Sequence, residues 1–118
     1  MKTSEQLKAF LDYLTEVENS YPYYKQEVER ENLRTFDFVH EIEQEPLASE
    51  RSKLATKYRL TRLHRRACKD AMEDIEPIYD VLQMPEWKKI RNAFNQALGK
   101  CRKSEKYHEN REYKNKVE

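Results

Sequence analysis

Apolar residues recur along this chain at intervals of three and four. Leu7, Phe10, Leu11, Leu14 and Val17 form the first such stripe and predict a helix from about residue 4 to residue 19. Thr3 and Gln6 have the spacing of a capping box at its start. Pro22, inside a tyrosine cluster (Tyr21, Tyr23, Tyr24), predicts a break. A second helix is then expected over about 23–44. Its seam is Tyr24, Val28, Glu31, Thr35, Phe38 and Ile42, with Leu33, Phe36 and Val39 as a second strip. Glu27, Glu29, Asp37, Glu41, Glu43 and Glu45 are assigned to its outer, acidic face. Pro46 forces Glu45 out of helical geometry and ends it.

The longest periodic run follows. Leu47, Arg51, Leu54, Tyr58, Thr61, Arg65, Cys68, Met72, Ile75, Tyr79 and Leu82 alternate by four and three, which predicts one long helix. Pro77 is expected to kink or restart it. Leu60, Leu63, Ala67 and Ala71 widen its apolar surface, so it is expected to pack against more than one neighbour. A last helix is expected from Pro85 to Leu98, with Trp87, Ile90, Phe94 and Leu98 on one face and Gly99 as its stop. Residues 100–118 are polar and read as a frayed helix or disordered tail. The expected architecture is all-α: a bundle or antiparallel long-helix hairpin with a short C-terminal helix, forming a single domain over 1–99 before a polar tail.

Composition strengthens the helical reading. One glycine in 118 residues leaves little material for tight turns, hairpins or phosphate loops. Charged residues make up 38% and apolar ones 37%, so any core is narrow. No apolar run is long enough to span a bilayer, and the N-terminus lacks a signal-peptide apolar region. With Cys68 and Cys101 in no metal or redox spacing, a reducing cytoplasm is the expected location. A narrow core and a long seam offering Tyr58, Met72 and Tyr79 also predict a homodimer, with Arg51, Thr61 and Arg65 setting its register.

Charge is strongly segregated beneath a net +1. Residues 1–49 hold eleven acids and five bases, whereas Arg51 to Lys69 carry eight bases and no acid. At about 100° per residue, Arg59, Arg62, Arg65, Arg66 and Lys69 share one sector of their helix. Planar guanidinium forks there suit carboxylates or phosphates. Three uses are open: pairing with the acidic helix inside the chain, docking on an acidic protein surface, or contact with a nucleic-acid backbone. Near-neutral total charge and the lack of base-stacking aromatics in the run, apart from Tyr58, rank nucleic acid last. The acidic face of Glu29, Asp37, Glu41 and Glu43 is a further candidate, as a mimic of a phosphate backbone.

Catalytic chemistry finds no pattern. No nucleophile elbow or glycine-rich loop exists, and neither cysteine has a patterned histidine partner. Asp37 with His40, and Glu105 with His108, have the i, i+3 spacing of helical di-metal sites. Asp replaces Glu in the first pair and the second lies in the polar tail, so neither is read as a ligand pair. No cofactor, metal or catalytic residue is expected, and Cys68 is read as a small core residue.

The segments Asp37-Phe38-Val39-His40-Glu41-Ile42-Glu43, Ser52-Lys53-Leu54-Ala55, Arg62-Leu63-His64-Arg65-Arg66-Ala67-Cys68-Lys69-Asp70, Glu73 and Glu76-Pro77 carry a resemblance. Over residues 35–82 the chain resembles small helical proteins from phages and prophages of low-GC Gram-positive bacteria, a group without an assigned activity. The resemblance implies a phage setting, in which inhibitors of host defence, anti-CRISPR proteins among them, are expected company. The reading is thus a non-enzymatic protein-binding module, expected to be a phage or prophage accessory protein that binds and modulates a host or phage protein. The alternative is a nucleic-acid-binding accessory protein using the basic face.

Overall fold

The computed structural model describes residues 1–111. They form three helices and, among the described residues, no strand: α1 (Thr3–Gln44), α2 (Ala48–Leu82) and α3 (Trp87–Asn110). The long helices α1 and α2 pack against each other and α3 is shorter. The all-α expectation therefore holds, with the helix boundaries redrawn in four places.

Pro22 does not break the first helix. It lies inside a continuous α1 of 42 residues, which makes α1, and not the basic helix, the longest element. Pro22 supplies no N–H to the Glu18 carbonyl, but one missing bond is tolerated in a helix anchored by packing on both sides. Pro77 likewise lies within α2. Gly99 is an interior residue of α3, with no positive φ, and the helix runs on to Asn110. Residues 100–110 of the expected tail are therefore helical; residues 112–118 lie outside the described residues. Thr3 is the first residue of α1 and does not cap it. Gln6 N donates to the Lys2 carbonyl at 3.1 Å, and Glu5 reaches back to Lys2 N at 3.2 Å. The cap is thus shifted by one residue, with an acid in place of the expected glutamine.

The chain sorts into two compact units. One comprises Met1–Thr15 with the described residues from Val81 onward; the other is Glu16–Asp80. In the first, α1 and α3 run antiparallel. Phe10 meets Phe94 edge-on at 6.0 Å, and Arg91 Nη2 donates to Thr15 Oγ1 at 2.9 Å. Leu11, Leu14, Leu82 and Leu98 are its buried apolar residues. Burying a leucine contributes about 1.5–3 kcal/mol.

The second unit is a two-helix hairpin closed at Glu45–Leu47. Arg51 closes it: Nη1 donates to the Glu45 and Pro46 carbonyls at 2.9 Å each, satisfying acceptors left open by the end of α1. At the other end Tyr21 stacks on Tyr79 with ring centroids 4.1 Å apart. Tyr79 is therefore engaged within the chain and not on offer to a second copy. Of the residues buried in this unit, Val17 and Cys68 are apolar, whereas Glu27, Glu31 and Thr61 are polar. Leu60 and Leu63, expected under a neighbour, are exposed, as are Leu33 and Phe36.

Candidate functional site

The basic sector sits on α2 within the hairpin. Arg59, Arg62 and Arg66 are exposed, and Arg65 and Lys69 are half-buried. Arg65 turns into the seam, where Nε donates to Asn32 Oδ1 at 2.5 Å. That bond joins one flank of α2 to one flank of α1. At about 100° per residue, Arg62, Arg66 and Lys69 lie on this flank of α2, and Phe36 and Val39 on the matching flank of α1. The result is a guanidinium-rich strip beside exposed apolar side chains; Phe36 is 72% exposed.

Internal pairing was one of the three expected uses of this sector. Among the described residues, no carboxylate forms an ion pair with Arg59, Arg62, Arg65, Arg66 or Lys69. Two acids of α1 meet arginines of their own helix: Arg30 Nη1 lies 3.2 Å from Glu27 Oε1, and Arg34 Nη1 lies 2.6 Å from Glu31 Oε1. These pairs follow from i, i+3 spacing on one helix. The acidic candidates Glu29, Asp37, Glu41 and Glu43 are exposed.

Glu27 was assigned to the outer face, and the structure corrects this. It is 9% exposed, and Glu31, one turn on, is 1% exposed. Across the seam, α2 presents His64 and Cys68, again one turn apart. His64 Nε2 lies 3.4 Å from Glu27 Oε2 and 3.6 Å from Cys68 Sγ. Ligand atoms of Glu27, Glu31 and His64 all fall within 4.8 Å of one another. Burial pushes the Cys68 thiol above its ordinary range, and the charges of Glu27 and Glu31 push it further. Sequence reasoning missed this constellation because it looked for ligands within one helix. The available signal was a pair of i, i+4 spacings, Glu27/Glu31 and His64/Cys68, on helices expected to run antiparallel.

The two histidine pairs singled out from spacing do not come together this way. Asp37 and His40 are both exposed. Glu105 is used at the start of α1, accepting from Ser4 N at 3.2 Å and from the Ser4 hydroxyl. These donors hold the Glu105 carboxyl below its usual range, the hydroxyl bond being the largest cause. His108 lies beside the Tyr107 ring. Among the described residues, no helix is long and apolar enough to cross a membrane. Compared with known proteins, the chain matches no family model, no curated protein and no solved structure.

Proposed function

We propose that this chain is a non-enzymatic binding module that docks on an acidic protein surface through the exposed basic flank of α2. Arg59, Arg62 and Arg66 provide the central contacts, Lys69 the edge, and Arg65 a support fixed by Asn32. The observation that carries this reading is the lack of internal ion pairs for these five cations among the described residues. Their charge is left for something outside the hairpin. A rigid helix also lowers the ordering cost of binding. Phe36 and Val39, on the adjoining flank of α1, suit a partner with apolar residues among its acids. The resemblance to phage and prophage proteins favours a host or phage protein as the partner, a host-defence component included. A homodimer belongs to the same proposal. Its contact would use exposed Leu60 and Leu63, which share a flank of α2, since Tyr79 is engaged within the chain.

The test is affinity capture from bacterial lysate, with and without nuclease, using wild type and the Arg62→Glu/Arg66→Glu double variant. A nuclease-resistant partner captured by wild type and lost in the variant is expected. Breaking desolvated interface charge pairs costs about 2–5 kcal/mol, enough to abolish capture. Undiminished capture by the variant would remove this flank from the functional account. Capture that disappears with nuclease, with affinity falling steeply in salt, would assign the arginines to a phosphate backbone instead.

A further inference from the structure

The polar layer inside the hairpin has the chemistry and spacing of a metal site. Each helix contributes two side chains one turn apart, Glu27 with Glu31 and His64 with Cys68, so both members of each pair face the same way. Antiparallel packing sets the pairs against each other, as in metal sites built inside helical bundles. We propose that Glu27, Glu31, His64 and Cys68 bind one divalent transition-metal ion of the zinc class.

Two of the distances match the edges of a tetrahedral site. With metal–nitrogen and metal–oxygen bonds of about 2.0–2.1 Å and a metal–sulfur bond of about 2.3 Å, a tetrahedron has N···O edges of about 3.3 Å and N···S edges of about 3.6 Å. The corresponding separations are 3.4 Å from His64 Nε2 to Glu27 Oε2 and 3.6 Å from His64 Nε2 to Cys68 Sγ. The Glu27, Glu31 and His64 atoms lie within 4.8 Å of one another and Cys68 Sγ lies just outside that group, against His64, so the four side chains must draw inward to close around one ion. Imidazole and thiolate select zinc-like ions over magnesium or calcium.

The surroundings fit the same role. Arg30 and Arg34 take the Oε1 atoms of Glu27 and Glu31. Among the described residues no second donor reaches the buried Glu31 carboxylate, so its Oε2 stays available. Arginines on the outer oxygens orient the carboxylates, as partners behind metal ligands do. His64 is 51% exposed along its side chain, which gives an ion a path from solvent. Binding displaces the Cys68 proton to solvent and leaves a metal thiolate; no redox change is involved.

The full chain, stripped with a chelator, should be titrated with Zn²⁺ by calorimetry and with Co²⁺ by visible spectroscopy. One ion per chain is expected, with a raised melting temperature. Co²⁺ should give tetrahedral bands together with a thiolate-to-metal charge-transfer band. His64→Ala and Cys68→Ala, checked for retained helicity, should each weaken binding at least about tenfold. Cys68→Ala should also lose the charge-transfer band, and His40→Ala should bind like wild type. No saturable binding to wild type, or undiminished binding to either His64→Ala or Cys68→Ala, would overturn the site. None of these readouts depends on the docking partner.

Discussion

Ser4 and Glu105 show how one pair of residues can set a local pH dependence. The first N–H groups of a helix have no partner within it, and a carboxylate is the strongest acceptor available to them. Glu105, half-buried on α3, supplies that acceptor to the buried Ser4. Because the folded carboxyl sits below its unfolded value, the contribution is present above the unfolded carboxylate range. It is lost as pH falls through the lowered folded value. Acid titration of wild type and Glu105→Gln by circular dichroism should therefore show a smaller loss of stability on acidification in the variant. Identical acid profiles would show that the bond contributes nothing in solution. No sequence pattern marks this pair, which are 101 positions apart. Glu27 was misread for a related reason. A glutamate on a helix is usually solvated, and only its arginine one turn on and a histidine across the seam make its burial tolerable.

At the scale of elements, spacing alone located most of the helical stretches and their inward faces. Val28, Phe38, Ile42, Leu54, Tyr58 and Met72, all expected in the seam, are at least partly buried. Helix ends were less legible, because Pro22 and Gly99 are local signals that tertiary packing overrides. Both residues still carry their local cost, and this is measurable. Gly99 lies mid-helix, and nothing lies within 4 Å of the position a Cβ would take. Gly99→Ala should stabilise the protein by about 0.5–1 kcal/mol, seen as a higher urea midpoint at unchanged slope. Pro22 is exposed on α1. Pro22→Ala restores a donor toward Glu18 and should also raise the midpoint, the gain in stability being up to about 3 kcal/mol. A lowered midpoint for Pro22→Ala would mean that the proline geometry is required, and that the helix bends there to pack.

Across the whole molecule, the charge map separates two kinds of arginine that composition cannot tell apart. Arg34 faces a carboxylate that is 1% exposed and has no other donor among the described residues. Arg62 and Arg66 are exposed and face no carboxylate among the described residues. The same substitution at these positions should therefore have unequal consequences. Arg34→Glu removes the partner of a buried acid and sets a like charge beside it. Breaking a fully buried pair costs about 3–5 kcal/mol, and solvent around the half-exposed Arg34 reduces this to about 1–3 kcal/mol. For a chain of this size that lowers the melting temperature by several degrees or more. Arg62→Glu/Arg66→Glu breaks no internal pair, moves the net charge from +1 to about −3, and should change melting by no more than a degree or two. Thermal melts of the two variants in parallel, at low and at physiological salt, make the comparison. If the double variant melts as early as Arg34→Glu, the basic flank is holding the hairpin together in solution. Its arginines would then have no claim to an external partner. If only Arg34→Glu melts early, the fold is independent of the basic flank, and any loss of capture in the double variant reports on binding alone.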